Sequence, residues 1–120
     1  MLSFPSTLGG TSQVDPEVVV AVVDCEDGVW VIAPTPFTFK GIPGSFEEIA
    51  AQLPGMDPVK VMAGYGVQGE SEVMRACYPD ERGLVRRSSV TGVTTNGNAT
   101  GSWLYFASVP KAILCPTGAF

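Results

Sequence analysis

A mainly β fold is predicted for this 120-residue sequence: a small single-domain barrel or sandwich of about six or seven strands with one short helix. Three observations predict it. Valine outnumbers leucine 16 to 6, and β-branched side chains suit a pleated surface better than a helix. Glycine (14) and proline (10) fill one position in five, which punctuates many short strands. Only one stretch, Ser45 to Leu53, carries a helix-start signal. If residues 70–78 are helical, the class becomes α+β.

Residues 1–13 (MLSFPSTLGGTSQ) hold no charged side chain and no periodicity, and Pro5 and Gly9-Gly10 break any helix. They form an extended apolar N-terminal arm whose Met1, Leu2, Phe4 and Leu8 must dock on their own domain or on a neighbour. The globular domain is drawn over 14–111. EVVVAVVD (Glu17 to Asp24) and GVWVIA (Gly28 to Ala33) are apolar on both faces around a charged turn, so they read as a β-hairpin covered on both sides. PTPFTFK (34–40) alternates phenylalanine and threonine, and its prolines confine it to an edge or a strand start.

Ser45 can cap a helix, and Glu48, three residues on, can close a capping box. Pro54-Gly55 ends that helix after about two turns, too few for independent stability, so Phe46, Ile49, Ala50 and Leu53 must pack on a sheet. PVKVMA (58–63) reads as a strand, GESEVMRACY (69–78) as helix or strand, and LVRRSSVTGVTT (84–95) as an exposed edge. Asn96-Gly97 is the strongest hairpin signal in the chain. The returning strand GSWLYFASV (101–109) puts Trp103 and Tyr105 on one face, Leu104 and Phe106 on the other. Residues 112–120 (AILCPTGAF) form an apolar C-terminal arm.

The composition excludes several kinds of chemistry. There is no histidine, hence no Ser-His-Asp or Cys-His arrangement and no imidazole metal ligand. Cys25, Cys77 and Cys115 match no C-x-x-C spacing, and an odd count argues for free thiols. Asp24 and Glu26 flank Cys25 and should raise its thiol pKa. A net charge of −5 argues against nucleic acid as principal partner. No apolar run approaches a membrane span and no basic leader precedes one, so neither a membrane nor a signal peptide is expected, and synthesis is expected in the cytoplasm.

The remaining motifs are weak. Gly64, Gly66 and Gly69 have G-x-G-x-x-G form, but no acidic residue follows about twenty positions on, and no strand–helix alternation precedes them. No cofactor is expected. Asp24, Glu26 and Asp27 lack the full calcium-loop spacing and read as a solvated turn, so no metal is expected either. Asn98-Ala99-Thr100 has sequon form, and Arg86-Arg87-Ser88-Ser89 resembles a basic kinase site. The aromatics, Trp30, Trp103 and Tyr105 included, read as core.

The leading expectation is a non-enzymatic structural protein whose terminal arms contact copies of itself or other assembly proteins. By analogy of style this would be a virion component: a capsid-decoration, head–tail or tail protein. The residues expected at such contacts are Leu2, Phe4, Leu8, Arg82, Arg86, Arg87, Leu114 and Phe120. A small binding module or accessory subunit of a larger complex is the alternative, using the arginines or the Gly64–Gly69 loop. A carboxylate enzyme using Asp24, Glu26, Glu70 or Glu72 is the third reading.

Overall fold

The valine-rich hairpin forms the middle of the molecule. A computed structural model describes residues 1–35, 37–66, 73–95 and 101–116, and just over half of these are strand (53%), so the fold is mainly β. Strands β3 (Ala21–Cys25) and β4 (Gly28–Ile32) pair antiparallel through a two-residue turn. With β5 (Phe39–Ile42), β6 (Asp57–Lys60) and β9 (Arg82–Val85) they make a first five-stranded sheet, in the order β5-β4-β3-β9-β6. The second sheet runs β10 (Val90–Thr95), β11 (Gly101–Phe106), β12 (Lys111–Pro116), β7 (Ala63–Gly66), β8 (Val73–Arg75).

The two sheets pack face to face as a sandwich. Val23, Trp30 and Val85 of the first sheet meet Met74, Leu104 and Ile113 of the second in one buried cluster. Period-two alternation sends the intervening residues of the first sheet, Val22, Val29, Val31 and Leu84, to its other face. There a third layer buries them. It consists of the hairpin β1 (Leu2–Pro5) with β2 (Thr11–Val14), and helix α1 (Phe46–Ala51). The first sheet is therefore apolar on both faces, as the run EVVVAVVD and its partner foretold.

Of the two docking places open to residues 1–13, the chain's own domain is the one taken: Leu2 and Phe4 are 1% and 3% exposed inside the third layer. The C-terminal arm begins inside β12, the central strand of the second sheet. Both arms thus supply strands, which helps bring the number among the described residues to twelve rather than six or seven.

Two single runs also split. PVKVMA divides at Val61-Met62, where Val61 donates to the Glu81 carbonyl and Met62 to the Leu114 carbonyl, one in each direction. The 84–95 run divides at a 3-10 turn, Arg87–Ser89: β9 lies inside the first sheet, and β10 alone is the expected edge. The start of EVVVAVVD is likewise a 3-10 turn, Pro16–Val18, since Pro16 favours a helical start and Asp15 caps the Glu17 amide at 2.9 Å. Residues 34–40 yield strand only from Phe39, at the sheet edge.

Helix α1 lies where expected, but the capping box does not form. Ser45 donates its hydroxyl to Glu47 at 2.8 Å and makes no side-chain cap. Within 69–78, residues 73–75 are strand and Ala76 bridges Cys25, so the described part is not helical. Asn96-Gly97 and the sequon lie outside the described residues, although the strands flanking them pair antiparallel. No described helix is long and apolar enough to cross a membrane.

Candidate functional site

The largest difference in surface chemistry lies between the two outer faces of the sandwich. The third layer stands on the first sheet alone. On the second sheet, registers Thr94↔Trp103↔Leu114↔Ala63↔Arg75 define one row across the outer face, and Gly92↔Tyr105 and Tyr65↔Val73 belong to the next. Trp103, Tyr105 and Leu114 are partly exposed and Val73 is 55% exposed, while Ala112 in the central strand is buried. Arg75 is the one charged residue in these two rows. Aromatic and aliphatic side chains at the rim of solvent, with few charges, are the composition of an interface core. Trp103 and Tyr105 were expected in the core. Their alternation against Leu104 and Phe106 is as read, but the latter two face inward.

The residues expected at contacts are scattered. Leu2 and Phe4 are inside, and Phe120 lies outside the described residues. Leu8 is 95% exposed at the hairpin tip, beside a groove of about 290 Å³ lined by Phe4, Phe39 and Ile42. Only Leu114 belongs to the open face.

The arginines form no basic patch. Arg86 donates to the Val19 carbonyl at 2.9 Å and to the Pro16 carbonyl at 2.7 Å, pinning the 3-10 turn before β3. Arg87 pairs with Asp57 at 3.0 Å. Arg82 joins β9 to β3 and α1, with Nε 3.0 Å from Asp24, Nη1 2.5 Å from Glu47, and its guanidinium 4.9 Å from the Phe46 ring centre. The Glu47 carboxyl is held below its ordinary range by its own backbone N–H, then by the Ser45 hydroxyl and Arg82. An open cleft of about 450 Å³ lies beside Arg82, between Phe46, Pro58, Lys60 and Pro79.

The carboxylates and thiols are likewise engaged or muted. Asp24 is held by Arg82, and Asp27 accepts from the Trp30 indole at 2.9 Å. The other face of chemistry around Trp30 is cationic, with Lys111 (3% exposed) and Lys40 at 5.6 and 5.8 Å from its ring centre. Glu70, Glu72 and Gly69 lie outside the described residues. Gly64 sits in β7 with no room for a side chain: a Cβ there would come 2.9 Å from the Ala112 carbonyl oxygen.

Burial, then Asp27, Cys77, Asp24 and Glu26, pushes the Cys25 thiol up, and burial pushes Cys115 up to about 11. Cys77 is raised by burial and Asp24, and its Sγ donates to the Cys25 carbonyl at 3.0 Å. Such thiols are poor nucleophiles at neutral pH. Among the described residues no group of three or more acidic or cysteine side chains could hold a metal ion. Comparison with protein-family models, curated proteins and solved structures finds no match to this chain.

Proposed function

We propose that this chain is a non-enzymatic structural subunit that docks on a neighbouring subunit through the outer face of its second sheet. One observation carries the reading: the molecule covers one outer face with a hairpin and a helix, and leaves Trp103, Tyr105, Leu114 and Val73 partly exposed on the other. The contact surface differs from the terminal arms first expected, because the described parts of those arms, residues 1–13 and 112–116, lie in the chain's own layers. Small β subunits joined by such faces suit a virion component, a setting assigned by analogy of architecture alone.

Sedimentation velocity at micromolar concentration, with a pull-down in parallel, tests the reading. Wild type is expected to self-associate or to retain one dominant partner. Trp103→Lys is expected to lose that association at unchanged circular dichroism and melting temperature. A wild type that stays monomeric and retains nothing overturns the proposal, as does association indifferent to the substitution.

A further inference from the structure

We infer that a second copy of this chain adds to the second sheet through β10, antiparallel and about a two-fold axis, making one sheet continuous across two subunits. The inference rests on the reading of the chain as an assembly subunit and names its partner.

The four edges of the two five-stranded sheets differ in how they resist pairing. At β6, Pro58 lacks a donor and Lys60 carries charge. At β5, Lys40 and Gly41 (φ 61°) sit beside a register break. β8 is three residues long and ends in the exposed Arg75. β10 has six residues, VTGVTT, with no charge and no proline, and its irregularity is confined to Val90–Gly92. Natural sheets blunt their edges with short strands, lysine, proline and bulges, so a long, neutral edge marks a strand that has a partner.

The identity of the partner follows from Val93 and from charge. Val93 pairs with Leu104, which is fully buried between the sheets, so Val93 points to that same inner side, yet it is 54% exposed. In a two-fold antiparallel pair, residues on one face oppose residues on the same face. With the two-fold axis placed near the middle of β10, as we infer, Val93 of one copy falls opposite or diagonal to Val93 of the other, and each covers the other. Two copies carry −5 each and repel at long range. β10 places no ionisable side chain at the seam, and the adjacent Arg87 is held by Asp57. A copy therefore meets no like charge there, whereas a charged partner strand would gain no ion pair from β10.

The test is a single engineered thiol. Val93→Cys in a Cys77→Ser background, oxidised with diamide at micromolar concentration, is expected to form a covalent homodimer at least about tenfold faster than Leu8→Cys, whose thiol is more exposed but off the seam. Val93→Lys is expected to lower the sedimenting mass with circular dichroism unchanged, since the side chain is already half in solvent. Equal cross-linking rates for the two cysteines overturn the inference, as does a disulfide from Val93→Cys to a different protein in place of the homodimer. If Trp103→Lys still dissolves the assembly in those cases, only the edge pairing falls. A wild type that is monomeric and retains no partner removes the underlying reading as well.

Discussion

The two five-stranded sheets are built from strands of similar length, yet they are different materials. In the first, β3 and β4 bury nearly every residue, because a sheet covered on both faces has no polar side to offer. In the second, Trp103 to Phe106 of β11 alternate partly buried with buried residues, the pattern of a sheet with one wet face, and β10 at the edge is exposed over most of its length. The first sheet contributes to both buried clusters, the second to one.

That contrast is broken or sharpened most by truncating a large side chain in each half. Phe4→Ala removes a ring buried in the third layer and stacked edge-on to Phe39 at 5.0 Å, and should cost about 3–5 kcal/mol in urea unfolding. Trp103→Ala, on the partly exposed face, should cost less, about 1–2 kcal/mol. Similar losses at both positions would mean that the second sheet is covered too.

Glycines give a finer version of the comparison. A Cβ at Gly83 would lie 2.7 Å from Val61 Cγ2 and 2.8 Å from the Val22 carbonyl oxygen, and the backbone atom cannot yield cheaply. Gly83→Ala should destabilise by roughly 1–3 kcal/mol. At Gly92 the nearest atom is Tyr105 Cβ at 3.8 Å, so Gly92→Ala should be neutral or stabilise by up to about 1 kcal/mol through the unfolded chain. In thermal melts Gly83→Ala should lower the midpoint and Gly92→Ala should leave it unchanged or raise it.

The smallest expected effect concerns pH. Glu47 has a folded pKa below its unfolded one, so its contribution is present above the ordinary carboxylate value of 4.5 and is lost as pH falls through the lowered folded value. Glu47→Gln should flatten the acid limb of the stability profile while leaving its slope near pH 7 unchanged. For Cys115 the sign is opposite. Its thiol ionises near 9.0 when unfolded and near 11 when folded, so stability should decline as pH rises above 9.0, and Cys115→Ala should reduce that slope, leaving the part owed to the raised Cys25 and Cys77 thiols.

Much of the covered half was legible in the residues. A valine run apolar on both faces can only be a strand between two layers, and Ser45 to Pro54 brackets one helix. The crossings at Val61-Met62 and at Arg87–Ser89 were not, because a strand that leaves one sheet for another keeps its β propensity and its alternation. Where the arms dock was not legible for a related reason: Leu2 and Phe4 are equally apolar whether they pack on their own sheet or on a neighbour's. On β11 the alternation separates Trp103 and Tyr105 from Leu104 and Phe106 without saying which pair is covered. That depends on where the third layer docks, and only the arrangement of the whole chain decides it.

The order in which strands enter the sheets has a consequence for synthesis. β9 must slot between β3 and β6, and it arrives only after β7 and β8 have been made for the opposite sheet. β12, the last of the twelve, is the keystone between β11 and β7. A nascent chain lacking it holds two unjoined fragments of the second sheet, with two further backbone edges open. The first sheet has all its strands once β9 is made, whereas the second must wait for β12, so the second half should complete last, at the slow pace of distant pairings. Until then the edges it will later hide are open to any neighbouring chain on the same message.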